Sequence, residues 1–284
     1  MQCAGSFWSN KKDLHEFDVN ANGIRLHGYR TGTNRPPLVF AHGITDNGLC
    51  FAPIAGQLAD SFEIILYDAR GHGKSDASQT PTTFFNRAED LAGLVDALGL
   101  HQPGLIGHSM GAVTVALYAG LYPAAPGRIV LEDPPPVEIL ARPRGSARPN
   151  NQEWRKAAAA NKNKTIEELV AINRLENPTW PEDERAPWAL AKQQVSLTIF
   201  DEGSFDPDQA KQVLAQITCP TLLITADVEK GALYPPAAAE KLAASLPRAR
   251  HIHIPGAGHN IRREQPAAYV KAVREFLEET AATV

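Results

Sequence analysis

The sequence predicts an α/β fold: a mostly parallel sheet of eight strands, helices on both faces, and one long insertion after the sixth strand. Three observations lead there. Short apolar runs alternate with helix-forming stretches, the order that builds parallel strands linked by covering helices. Most of these runs are continuously apolar, as strands buried on both faces must be. Residues 134–220, between the sixth and seventh runs, are far too many for an ordinary connection of a few residues and one helix.

Taken in order, Leu14–Val19 and Ile24–Tyr29 flank Asn20-Ala21-Asn22-Gly23, whose Asn and Gly accept positive φ, so the chain opens with a hairpin. The runs Leu38–Ala41, Phe62–Tyr67, Gly104–Gly107, Arg128–Leu131 and Thr221–Thr225 are the interior strands, and His251–Ile254 is the last. Tyr269, Val270, Val273, Phe276 and Leu277 then recur at helical spacing, which packs the final helix on the sheet. The insertion contains helix formers such as Ala157–Ala160 and Ile166–Leu169 and is interrupted by Pro143, Pro149, Pro178, Pro181, Pro187 and Pro207, so several short helices are expected. Residues 1–133 and 221–284 thus read as the core domain, and 134–220 as a helical lid.

The chain of 284 residues is 43% apolar and 21% charged, a globular composition able to bury one large core. A net charge of −4 without clustered Lys and Arg speaks against nucleic-acid binding. Cys3, Cys50 and Cys219 are odd in number and unrelated in spacing, which suits neither a disulfide framework nor a metal site and fits a reducing cytoplasm. The start of the chain lacks a basic stretch followed by an apolar run, and nothing approaches the ~18 apolar residues of a membrane span. A small molecule is the expected partner.

Gly107-His108-Ser109-Met110-Gly111 follows an apolar strand directly and precedes the helical stretch Ala112–Leu121. That is the setting of a nucleophile elbow, a strained strand-to-helix turn that lifts a serine Oγ above the sheet. The glycines two places either side leave room for the turn. The amide of Met110, at the helix N-terminus, is placed to stabilise an oxyanion.

A serine hydroxyl needs a base. His259, in Gly256-Ala257-Gly258-His259-Asn260, stands just after the last strand and would meet Ser109 at the same sheet edge. The acid that orients the base should also follow a strand. Glu229 is preferred because it lies further into its loop than Asp227, which is the second choice; Asp133, after Leu131, is the third. The order serine, acid, histidine does not separate them.

His42-Gly43-Ile44-Thr45-Asp46-Asn47-Gly48 follows another strand, and the Ile44 amide is the second expected oxyanion donor, with His42 bracing the loop. Asp68-Ala69-Arg70-Gly71-His72-Gly73-Lys74-Ser75 lacks the spacing of a phosphate-binding loop and reads as a turn fixed by Asp68 and Arg70.

From about Pro37 onward the chain resembles the lid-bearing esterases and lipases of the α/β-hydrolase superfamily. The resemblance rests on His42-Gly43, the Asp68–Ser75 loop, the Ser109 elbow, Leu222–Glu229 and Gly258-His259. It implies the α/β-hydrolase fold and an acid two places after Asp227, which here is Glu229. A serine nucleophile separates the chain from the superfamily members that use aspartate at that position.

The chemistry expected is acyl transfer to Ser109 with His259 as base, without metal or cofactor, most simply on a small and largely apolar carboxylic ester. The same triad would serve a carbon-carbon bond hydrolase of ring-cleavage products, a lactonase or an amidase. A ligand receptor built on a hydrolase scaffold is the alternative of another class. Trp154, Trp180 and Trp188 are the expected substrate-binding residues of the insertion, Phe200 and Phe205 its other large apolar residues, and Arg142 and Arg144 read as a solvated face, with carboxylate binding the second choice.

Overall fold

Asn22 and Gly23 take φ of +48° and +77° and close the hairpin between β1 (His15–Ala21) and β2 (Ile24–Arg30). This is a computed structural model, which describes residues 14–141, 151–201 and 203–279. The remaining strands are β3 (Pro37–Ala41), β4 (Glu63–Tyr67), β5 (Gly104–His108), β6 (Arg128–Glu132), β7 (Thr221–Thr225) and β8 (Ala249–His253). They form one eight-stranded sheet in the order β1-β2-β4-β3-β5-β6-β7-β8. The first two strands pair antiparallel, β2 also runs antiparallel to β4, and every other pairing is parallel.

Helices α1 (Ala52–Leu58), α2 (Phe84–Ala97) and α3 (Met110–Leu121) follow β3, β4 and β5. Successive strand residues point to opposite faces, and the two apolar clusters sort accordingly. Val39, Ile65, Leu105, Ile129 and Leu223 pack with α2 and α3. Leu38, Ile64, Ile106, Val130 and Leu222 pack on the other face, against α1 and the C-terminal helix. The interior runs are thus continuously apolar because both faces are covered.

Between β6 and β7 come α4 (Val137–Leu140), α5 (Asn151–Asn161), α6 (Ile166–Glu176), α7 (Arg185–Gln194) and α8 (Pro207–Leu214). Thr165 caps α6 by accepting from the Glu168 amide, while the Glu168 carboxylate accepts from the Thr165 amide. In packing terms α8 sits with the core: Ala210 and Ile217 join the α2 and α3 cluster, and a Cβ at Gly120 of α3 would lie 2.1 Å from Val213 O. The rest of the insertion has a small core of its own, Ala158, Val195, Ile199 and Phe200. Phe205 instead stacks edge-on against Phe84, with centroids 5.9 Å apart.

After β7 the chain forms α9 (Pro236–Ser245), β8, α10 (Ile261–Glu264) and α11 (Pro266–Glu278). Tyr269, Val273, Phe276 and Leu277 of α11 are buried. No helix among the described residues is long and apolar enough to cross a membrane.

Candidate active site

Ser109 sits between β5 and α3 with φ +52° and ψ −115°, a conformation that a non-glycine residue adopts only at a cost of about 1–3 kcal/mol. Its amide donates to Glu132 O at 3.0 Å and its carbonyl accepts from Val113 N at 3.1 Å, which ties the turn to β6 on one side and α3 on the other. The two flanking glycines are required by each other and by β3 rather than by the serine side chain. A Cβ at Gly107 would lie 2.4 Å from Gly111 O, and one at Gly111 only 2.0 Å from Ala41 O. Met110 opens α3, where the first amides of a helix have no intrahelical acceptor.

His259 follows β8, and its Nδ1–H donates to Asp133 Oδ2 at 2.7 Å. Asp133 is fully buried, with φ +39°. Its carboxylate also accepts from the amides of Leu233 at 2.8 Å and Tyr234 at 3.1 Å. Three N–H donors therefore fix it, leaving Nε2 as the imidazole nitrogen available to Ser109, which lines the same cavity. His108 flanks the imidazole, with ring centroids 4.7 Å apart, and donates from Nε2 to His259 O at 2.9 Å.

The acid in contact with His259 is Asp133, which corrects the preference for Glu229. Glu229 lies exposed on the turn Val228–Lys230. Asp227 is occupied locally, accepting from Gly256 N at 2.8 Å and pairing with His253 Nε2 at 3.0 Å. The Gly256 amide, with help from His253, holds its carboxyl below the ordinary value. The cause is strand register. Parallel pairing sets His108 opposite Glu132, so Ser109 and Asp133 leave adjacent strands at the same level.

The loop carrying Ile44 is braced by two buried histidines. His42 donates from Nδ1 to Gly43 O at 2.8 Å and accepts at Nε2 from Ala69 N at 3.0 Å. Burial pushes its pKa down to about 3. His72 has its ring nitrogens 2.7 Å from Ile44 O and 2.8 Å from Arg70 O, and burial lowers its pKa to about 4. Asp68 accepts from Gly48 N at 2.8 Å and Lys74 N at 2.9 Å, while Arg70 is paired with Asp90.

Above these residues lies a cavity of about 470 Å³. It is lined by Ser109, His259, Ile44 and Met110 from the core and by Trp154, Trp180, Trp188 and Lys192 from the insertion. The three expected tryptophans all reach it. Trp180 is buried beneath the Arg263 guanidinium, 4.6 Å from its ring centroid, and Lys192 Nζ lies 5.0 Å from the Trp188 ring. Arg142 and Arg144 fall outside the described residues. Among the described residues, no group of three His, Cys, Asp or Glu side chains could hold a metal ion.

A buried ionic layer underlies one wall. Asp46 Oδ2 accepts from Arg262 Nη2 at 2.9 Å, Arg263 pairs with Glu184 at 2.9 Å, and Lys192 Nζ donates to Thr45 O at 2.8 Å and Thr45 Oγ1 at 2.6 Å. Burial alone would raise the Asp46 carboxyl, but Arg263, Lys192 and Arg262 hold it well below its ordinary value. These contacts join the Ile44 loop, the His259 loop and α7.

Residues 36–262 match the family model for the alpha/beta hydrolase fold. The chain belongs to that family. This α/β hydrolase is 28% identical over 276 residues to the 2-(acetamidomethylene)succinate hydrolase of Mesorhizobium japonicum, covering 92% of the chain and 94% of that protein. It is also 28% identical over 275 residues to the N-formylmaleamate deformylase of Pseudomonas putida, covering 92% and 96%. The crystal structure of an N-formylmaleamic acid deformylase from Pseudomonas putida superposes with a TM-score of 0.72 at 24% identity, covering 91% of this chain and all of that one.

Several lining residues of the hydrolase escaped the sequence reading: Phe84, Asn161, Lys192, Asn260 and Arg263. Asn260 and Arg263 follow His259 closely enough that the same loop argument could have found them. Lys192 carries no such sign, because a lysine on a helix ordinarily reads as solvated.

Proposed function

We propose that this α/β hydrolase is a serine hydrolase working through an acyl-enzyme. The observation that carries the reading is the 2.7 Å contact between Asp133 and His259 in a cavity that Ser109 also lines. Ser109 Oγ attacks an acyl carbonyl while His259 Nε2 takes its proton. The buried Asp133 carboxylate holds the imidazole tautomer and stabilises the imidazolium that forms. The amides of Ile44 and Met110 receive the oxyanion. His259 then returns the proton to the leaving group, and water repeats the sequence to release the acid.

The described residues of the insertion from α4 to Phe200 act as the lid that closes the cavity over a small-molecule substrate. The names of the two full-length relatives describe hydrolysis or deformylation of N-acylated acids, which favours an amide or related acyl carbonyl on a small organic acid over a simple apolar ester. The test is intact-mass trapping of the acyl-enzyme during turnover of a 4-nitrophenyl ester. The wild type is expected to gain one acyl mass and turn over repeatedly. Loss of the adduct in Ser109→Ala and His259→Ala fits the reading. A burst without further turnover would instead favour a receptor, and full activity in Ser109→Ala would end the proposal.

A further inference from the structure

We infer that the cavity selects substrates bearing a carboxylate, seated on the Lys192 ammonium and the Arg263 guanidinium; this rests on the hydrolase reading above. Among the described residues, the charged side chains that line the cavity are Lys192, Arg263 and Asp46, two cations to one anion, apart from the titratable histidines. Both cations are at least nine-tenths buried, Lys192 at 9% exposure and Arg263 at 1%. Charges in such a place need partners, because burial removes their hydration.

Those partners are incomplete. Arg263 donates from Nε to Glu184 and from Nη1 to Asn260 Oδ1 at 3.1 Å. Its Nη2 lies 3.1 Å from Asp46 Oδ2, yet no N–H is aimed at an acceptor. Lys192 gives two of its three N–H donors to Thr45, and Asp46 Oδ1 stands at 3.5 Å. Behind the wall, Arg262, Glu184 and Glu132 bring the buried cluster to three cations and three anions. A substrate carboxylate would supply the acceptor that Nη2 lacks and a closer charge partner for Nζ than Asp46. Most of the remaining lining, with Phe84, Ile139, Leu140 and the tryptophans, is apolar, and Thr45, Asn161 and Asn260 are neutral.

The chemistry recognised is a short dicarboxylic acid joined through one acyl group to its leaving group. The test compares two esters of equal chain length, 4-nitrophenyl hemiglutarate and 4-nitrophenyl pentanoate. The wild type is expected to favour the anionic ester in kcat/KM by about tenfold or more, as charge-assisted hydrogen bonds in a desolvated site allow. Lys192→Met should bring the ratio towards one and Lys192→Arg should restore part of it, the ratio being insensitive to a general loss of active protein. Binding of glutarate and of glutaramide to Ser109→Ala protein, followed by calorimetry, needs no chemistry at Ser109 and is expected to favour glutarate. If neither ester is turned over, the serine reading fails while calorimetry still decides the anion site. A wild-type ratio at or below one, or glutarate bound no better than glutaramide, overturns the inference.

Discussion

Replacing Asp133 by asparagine removes one charge and turns one acceptor into a donor without changing the size of the side chain. In the wild type Oδ2 accepts from His259 and Leu233 and Oδ1 from Tyr234. If the amide oxygen keeps the Oδ2 place, Nδ2 faces the Tyr234 N–H, and one unsatisfied buried donor costs about 1–3 kcal/mol of stability. If it takes the other place, His259 loses its acceptor and the tautomer that leaves Nε2 free to receive a proton. In either arrangement the imidazolium loses its buried counter-charge. Activity should fall on the order of 10⁴-fold, about 5 kcal/mol of barrier at about 1.4 kcal/mol per decade. The loss should fall on kcat rather than KM, since Asp133 is buried behind His259. Steady-state kinetics on a 4-nitrophenyl ester, with thermal unfolding to confirm the fold, reads both effects. Glu229→Gln, at an exposed site, should stay within about twofold of wild type. An Asp133→Asn enzyme keeping a tenth of its activity, or a Glu229→Gln enzyme losing most of it, would refute the assignment.

Gly111→Ala should cost several kcal/mol, because its Cβ would sit 2.0 Å from the Ala41 carbonyl and force β3 and α3 apart; denaturant unfolding measures it, and a loss below about 1 kcal/mol would speak against the tight elbow. Glu184→Ala leaves Arg263 buried without its main partner and should destabilise by about 3–5 kcal/mol in the same assay. His42, whose pKa burial lowers to about 3, gives a pH effect of definite sign. Between about pH 6.5 and 3 the unfolded chain binds the proton that the folded ring refuses, so this contribution is complete above about 6.5 and is lost as pH falls. Because Glu132 and Glu184 have raised carboxyls that act the other way, the comparison is with His42→Asn. The stability advantage of wild type over that variant should shrink by about 1.4 kcal/mol per pH unit below 6.5, and a constant difference would contradict a neutral His42.

The sheet was legible because apolar runs of four to six residues without alternation are too short for helices and fit strands covered on both faces, and Asn22-Gly23 announced the hairpin through its backbone preferences. Ser109 and His259 were found for a related reason: each follows a strand directly, and strands of a parallel sheet end at one edge. The same logic applied to Asp133, Asp227 and Glu229, and it could not rank them. Ranking requires knowing which strands are neighbours and in what register, and the pairing of His108 with Glu132 is a property of the assembled sheet. The preference for Glu229 rested on its place further into the loop after β7, and the family pattern pointed to the same residue. Lys192 was hidden for a different reason. Its sequence neighbours are those of an ordinary amphipathic helix, and only the docking of α7 on Thr45 buries it.

The central claim, that Ser109 is a nucleophile activated by His259, is tested most directly by treating the protein with a fluorophosphonate and mapping the adduct by peptide mass. A single adduct on Ser109, abolished in His259→Ala and strongly slowed in Asp133→Asn, is the expected result. No adduct on Ser109, or labelling that proceeds at the wild-type rate without His259, would contradict it.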